Sequence, residues 1–404
     1  MQQKMTFYLF ILGLICACSQ EHPKEPDAER NLELLWMAPI SNGYHEFSIA
    51  SDPVVHENHV IVSAEFDMDG VKSPLMFLDS SNGNRLHLWS DYIKGTALYA
   101  NERARVSGDY LVLSTQRSMD CVNLKTRQRQ WATIIPDNNP FNWVDDDFVY
   151  TTVNFKDGRS AAILRCPIET GIWDTVFTFH SPGSFEPDFC ALGFGELTGG
   201  DKVLAWKSRR AATGKDRTDI FAYNLSADTL LWRNTEYSVF AGVAPVIIEQ
   251  NRVLVLLEEI AVSLNVTTGN TLWSRDFDGV VKYPDIANFD QYLVAYHAGK
   301  VILKGSGSEL VYLNWADGSV EKVIDAYPRS GYGEFTFFED KIFFTTGDLV
   351  IADAQTGEPL ISPQSFSPVN GTFIYTSITI DPDRRVLYCH DGFHLYCVKI
   401  PDDL

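Results

Sequence analysis

A degenerate repeat about 46 residues long constrains this chain more than any other feature. An acidic or amide residue closing a short apolar run recurs at Asp79, Asn123, Asn224, Asn265, Asn314 and Asp353, and Pro167 and Lys399 fill that place in two further copies. The seven intervals from Asp79 to Lys399 cover 320 residues. A spacing of about 46 residues suits one four-stranded propeller blade. Such a meander cannot bury both of its faces alone, so the copies must stack around an axis to make a core.

The local patterns agree with this. No stretch after Arg30 sustains helical periodicity over three turns; β-rich runs alternate instead with Gly, Asn and Asp turns. Val54-Val55, a turn at His56 to His59 and Val60-Ile61-Val62 are answered by Val246-Ile247-Ile248, a turn at Glu249 to Arg252 and Val253 to Leu257. The predicted fold is all-β: an eight-bladed β-propeller of four-stranded antiparallel blades. The last copy runs out after Phe393 to Lys399, whereas Leu34-Leu35-Trp36 has strand character but no blade of its own. Pairing the two removes two exposed sheet edges, so closure of the ring by the N-terminal strand is predicted.

The first thirty residues follow other rules. Lys4 precedes an apolar run from Phe7 to Ala17, too short to cross a bilayer as a finished helix. Ile15-Cys16-Ala17-Cys18, followed by Ser19, resembles the bacterial lipobox, which implies a cleaved signal over 1–17 and lipidation of Cys18. Ser rather than Asp after that Cys points to the outer membrane. Residues 18–30 are charged and carry Pro23 and Pro26, as a flexible tether would, leaving 31–404 as one propeller.

The spacing Ala-x-Asp-x-x-x-Gly-x-x-x-Trp resembles the tryptophan-docking motif of quinoprotein-type, or PQQ-like, propellers. It occurs as Ala222, Asn224, Asp228, Trp232; as Ser263, Asn265, Gly269, Trp273; and as Cys121, Asn123, Arg127, Trp131. Asp79 with Gly83, Asn314 with Gly318 and Asp353 with Gly357 are partial copies. The resemblance implies a turn built on Asp or Asn and Gly, with the Trp ring docked between blades. It does not extend to the quinone-dependent dehydrogenases: no two cysteines are adjacent, and their Asp base and calcium ligands have no counterpart that can be mapped. No cofactor is therefore expected. The combination of lipobox, tether and eight such blades is closer to the propeller lipoproteins of outer-membrane β-barrel assembly.

Composition narrows the partners. The 33 basic and 53 acidic side chains leave a net charge of −20, which repels phosphate backbones and excludes nucleic acid as the expected partner. Against that background Lys207 to Asp219 stands out, with Lys207, Arg209, Arg210, Lys215 and Arg217 opposing only Asp216 and Asp219. It is predicted as a basic surface loop between second and third strands of the fourth blade. Arg209, Arg210, Lys215 and Arg217 are its candidate docking residues for an acidic partner or a carboxylated glycan. The predicted function is a monomeric, non-catalytic envelope scaffold for protein partners, attached to the membrane through its lipid alone. The alternatives are a glycan-binding propeller and a polysaccharide-cleaving enzyme with channel-mouth residues.

Other candidates are weaker. Glu65, Asp67 and Asp69 alternate before Gly70, which could gather oxygens around calcium but lacks the late bidentate Glu of an EF-hand. Asp145-Asp146-Asp147 is expected to be a solvated turn. The pairs His56/His59 and His390/His394 flank turns without further ligands at metal spacing. Cys121 and Cys397 fall where the repeat prefers Ala and are expected to be small core fillers. A two-residue turn at Asp391-Gly392 would set Cys389 opposite His394 and Cys397 opposite Val386, on opposite faces, which disfavours a bond between those cysteines.

Overall fold

The computed structural model describes residues 32–41, 51–63, 75–91, 104–114, 118–135, 138–145, 147–155, 158–181, 186–211, 217–239, 244–257, 259–280, 294–304, 308–327, 332–361, 366, 368, 374 and 376–404. Glu65, Asp67, Asp69, Asp146, Lys215 and the whole N-terminal segment with Cys18 lie outside them. The described strands form eight antiparallel sheets, the blades of a propeller ring. Seven have four strands; the seventh blade shows three, with an Ala352–Pro359 bridge where its fourth strand begins. Each copy of the repeat is one blade. Every repeat-closing residue, from Asp79 to Lys399, is the last residue of a blade's third strand.

The ring closes as expected. Strand Leu34–Pro39 pairs antiparallel with His394–Lys399, and Trp36 lies opposite Cys397. Blade 8 thus takes one strand from each end of the chain. The Trp36 ring lies 5.8 Å from that of Tyr388, in a core shared with Val60, Val62, Met76 and Leu78 of blade 1.

Between blades the docking motif works by volume. The Trp36, Trp131, Trp232 and Trp273 side chains each oppose a small residue on the neighbouring strand: Cys397, Cys121, Ala222 and Ser263. Each indole N–H donates to a backbone carbonyl of the next blade, at Ser80 (3.1 Å), Ile168 (2.6 Å), Val266 (2.7 Å) and Trp315 (3.0 Å). Those acceptors all follow a repeat-closing residue directly. The rings rest on Gly83, Gly171, Gly269 and Gly318, where an added Cβ would come within 2.4 to 2.6 Å of the indole. Where the opposite residue is large, the docking residue is smaller or flexible: His87 faces Phe77 and Lys322 faces Tyr312.

Four of the cysteines are core fillers. Cys121, Cys166, Cys389 and Cys397 are buried free thiols. Burial pushes the Cys121 and Cys166 thiols up to about 12 and Cys397 up to about 11, away from thiolate chemistry. The last hairpin corrects the predicted register. Cys389 pairs with Tyr396 and Tyr388 with Cys397, around a four-residue turn instead of two. Asp391 selects the longer turn: its Oδ1 accepts the N–H groups of Phe393 (2.8 Å) and His394 (2.7 Å), and its Oδ2 accepts the Tyr396 hydroxyl. The two cysteines still point to opposite faces.

A buried carboxyl in blade 2 gives a test of the packing. Asp120 is inaccessible to solvent; its Oδ1 lies 3.4 Å from Arg129 Nε without an aligned hydrogen bond, and the Ser118 hydroxyl donates to Oδ2. Burial outweighs the guanidinium and raises the Asp120 carboxyl to about 6. Between about pH 4 and 6 the folded chain therefore keeps a proton that the unfolded chain has released, and stability falls as pH rises through that window. Asp120→Asn, which stays neutral, should gain about 1–3 kcal/mol at pH 8 and nothing near pH 4. Urea unfolding at both pH values checks this, and an equal effect at both would refute it.

Candidate functional site

In every blade the turn between second and third strands lies on the same side of the ring as the connections between blades, because neighbouring strands run antiparallel. This is the crossover face. Counting along each second strand from the residue opposite the repeat-closing one, the fifth position is Ser63, Ser114, Thr152, Lys207, Leu256, Lys304, Thr345 and His390 in blades 1 to 8. All eight are buried, and seven are polar.

The partners explain the polar ring. Thr152 donates to Phe189 O (3.3 Å), Thr345 to Thr376 O (3.1 Å) and His390 Nε2 to Ser51 O (3.0 Å), each a carbonyl at or just before the next blade's innermost strand. These bonds tie blades 3, 7 and 8 to the segment entering the next blade. His390 also accepts the Gly392 N–H at Nδ1, so both ring nitrogens are used, and burial lowers its pKa. It is a structural histidine. The other three histidines singled out in the sequence are likewise engaged locally: His56 lies 3.4 Å from Asp109, His59 contacts Arg127 at 3.0 Å, and His394 lies 3.9 Å from Asp391. Among the described residues no group of three or more His, Cys, Asp or Glu side chains could hold a metal. Asp145 caps its turn by accepting the Phe148 N–H at 2.9 Å.

A second polar network surrounds the axis at the ring closure. The Glu334 N–H donates to the Ser377 hydroxyl (2.9 Å) and the Ser377 N–H to Asp52 Oδ1 (2.8 Å), while Arg105 Nη2 lies 3.4 Å from Glu334 Oε1. Blades 7, 8, 1 and 2 are thereby joined at their innermost strands or the residues just before them.

Blade 4 departs from the common plan. Its strands Glu186–Glu196, Lys202–Ala211, Arg217–Asn224 and Thr229–Tyr237 have 11, 10, 8 and 9 residues, against 3, 5, 5 and 5 in blade 1. Beyond Lys207 the second strand continues through Ser208, Arg209, Arg210 and Ala211. Four more residues carry this fin about 13 Å past the fifth-position ring. Arg209 lies opposite Asp188 and Thr218; Arg210 lies opposite Pro187 and Arg217. Arg217 is exposed. Two arginines directly across a ladder disfavour each other unless an anion comes between them.

The basic segment is thus a β-hairpin, not the predicted loop, and its outermost charges are not all at the tip. Lys207 and Asp219 are inaccessible to solvent. Lys207 Nζ donates to Ala244 O (2.8 Å) and Leu256 O (3.3 Å) of blade 5. Asp219 Oδ2 accepts from Arg233 Nε (3.0 Å) and Nη2 (2.6 Å), and the Arg233 guanidinium lies over the Phe179 ring of blade 3 at 4.6 Å. A charge run in sequence usually marks solvent. Here alternation along the strand turns Lys207 inward toward a carbonyl pair supplied by another blade. Arg233 could not be singled out beforehand, since its partner lies across a strand pair. Arg209, Arg210 and Arg217 lie on the strands beyond Lys207, and Lys215 and Asp216 fall outside the described residues.

Known proteins place the fold in context. The BamB of Moraxella catarrhalis superposes with a TM-score of 0.57 at 13% identity, over 91% of this chain and 98% of that one. A europium-containing methanol dehydrogenase gives 0.65 at 10% identity, over 91% and 93%. Sqt1 of Saccharomyces cerevisiae gives 0.64 at 10% identity, over 93% and 98%. Identities this low speak for the fold alone. No curated protein matches the chain. The family model described as outer membrane protein assembly factor BamB matches residues 172–391, more than half of the sequence and including the fin. The chain is therefore a member of the BamB family of PQQ-like β-propellers.

Proposed function

We propose that this protein is an interaction scaffold of outer-membrane protein assembly, anchored through a lipid on Cys18, and that its fin docks an acidic segment of a protein partner. Family membership supports the scaffold role. The observation that carries the docking surface is the fin itself: among the described residues only blade 4 outruns the ring this far, and its tip reverses the sign of a protein at −20. Arg209, Arg210, Lys215 and Arg217 supply guanidinium and ammonium groups for carboxylates, and arginines facing each other across a ladder are favoured by an anion.

Charge reversal tests this. In crosslinked envelopes, Arg209→Glu/Arg210→Glu should lower capture of the partner at least tenfold relative to the unaltered chain while leaving the melting temperature in place. Binding should also weaken as salt rises, since exposed charges are screened. Undiminished capture by the reversed variant would remove the fin from the interface.

A further inference from the structure

We infer that Lys207 and the Asp219–Arg233 pair are positioning residues that hold the fin upright for docking, one clamp on each of its faces. The inference rests on the docking role proposed for the fin, but the geometry behind it is independent of any partner.

The first clamp faces blade 5. At the fifth position of the second strand, blades 1 and 2 use Ser and blades 3 and 7 use Thr; the two Thr hydroxyls donate to a carbonyl of the next blade, and the Ser63 hydroxyl accepts the Ser51 N–H. Blade 4 uses a lysine, which reaches two carbonyls from different parts of blade 5: Ala244 ahead of its first strand and Leu256 inside its second. Leu256 holds the same fifth position and is the one apolar member of the ring. Its backbone carbonyl is the point that the neighbouring lysine grips. Burying an ammonium is costly, and a threonine hydroxyl suffices in blades 3 and 7; blade 6 also buries a lysine here, Lys304, but its second strand ends at that residue and carries no fin. What the longer, charged side chain adds is a fixed angle between blade 4 and blade 5 at the last rung before the fin leaves the ring.

The second clamp faces blade 3. Asp219 lies one register step further along the hairpin, opposite Ser208, so its side chain points to the other face of the sheet from that of Lys207. Two nitrogens of Arg233 converge on a single Asp219 oxygen, and the guanidinium covers Phe179 of blade 3. The same guanidinium lies 5.6 Å from the Phe221 ring of its own blade. The fin base is therefore fixed against both neighbours: by the buried Lys207 on one face, and on the other by the buried Asp219 through the partly exposed Arg233.

The lever arm makes this matter. For a fin about 13 Å tall, a tilt of about 10° at the base shifts the tip by about 2 Å, enough to lose a bidentate Arg–carboxylate geometry. A tip held in place before binding also loses less freedom on association.

The full-length protein carrying Lys207→Met, which keeps an unbranched side chain one atom shorter and removes the donors, is the test. Two readouts are taken: amide hydrogen exchange of Ser208–Ala211 and Arg217–Asp219 against the rest of the ring, and crosslinked capture. The expected result is at least tenfold faster exchange confined to the fin, capture lowered several-fold with all tip charges intact, and recovery of both in Lys207→Arg. Fin exchange and capture both unchanged in Lys207→Met would overturn the positioning role. If Lys207→Met fails to fold, Arg233→Met tests the opposite clamp by the same two readouts. Should the tip reversal Arg209→Glu/Arg210→Glu leave capture intact, the docking role fails by itself, and fin exchange in Lys207→Met still decides whether the clamp holds the fin.

Discussion

Gly318→Ala should cost about 3–4 kcal/mol in folding stability, whereas Gly299→Ala should cost only about 1 kcal/mol. Both glycines have positive φ, +69° and +82°, so an added methyl is strained at either position. They differ in surroundings. A Cβ on Gly299 meets nothing within 4 Å, but one on Gly318 falls 2.4 Å from Cε3 of Trp273. The surplus at Gly318 is thus the cost of pushing a docked indole out of the groove between blades 5 and 6. Trp273→Ala alone should cost about 3–5 kcal/mol through the cavity it leaves. Combined, the two substitutions should cost clearly less than their sum, because the methyl then occupies space the ring has vacated. Denaturant unfolding of the four proteins measures this; additive costs would show that ring and glycine do not share one contact.

Removing residues 1–40 should abolish soluble, cooperative folding. That truncation deletes the outer strand of blade 8, exposes the edge of His394–Lys399 and strips Trp36 from the Gly83 groove. Trp36→Ala should be milder, about 3–5 kcal/mol, since strand pairing survives. The decisive comparison is a rearranged chain with residues 32–41 joined after Leu404 through a short Gly/Ser linker. Lys399 N donates to Glu33 O at 2.9 Å, and Leu32 and Leu404 belong to one apolar cluster, so the transplanted strand has a short path back to its place. Recovery of a single unfolding transition is expected. A truncated chain that melts like the parent would mean the ring does not depend on this closure.

Much of this architecture was legible because it is local and repeated. The acidic or amide residue closing each third strand caps a turn through its own side chain, as Asn265 does for the Thr267 and Thr268 N–H groups, so its spacing marks blade after blade. The N-terminal strand was legible by elimination, since one copy was short of a strand and one strand lacked a copy. Small residues two positions before the closing residue forecast where Trp rings would lie, down to Cys121 and Cys397.

The site was less legible, because burial of a charge depends on groups that sequence neighbours do not reveal. Lys207 and Asp219 looked like the two ends of a solvated basic loop. Their fates were decided by Ala244 and Leu256 in the next blade, and by Arg233 across the strand pair. The last hairpin followed the same rule: Asp391 found more donors in a four-residue turn than a two-residue turn could offer. By itself the sequence determined the unit, its number of copies, the closing strand and the sign of the basic segment, all properties set by a residue and its near neighbours. Tertiary structure alone decided which of those charges stand at the tip and which clamp the base. Strand alternation turns a side chain left or right, and the adjoining blade supplies what it meets.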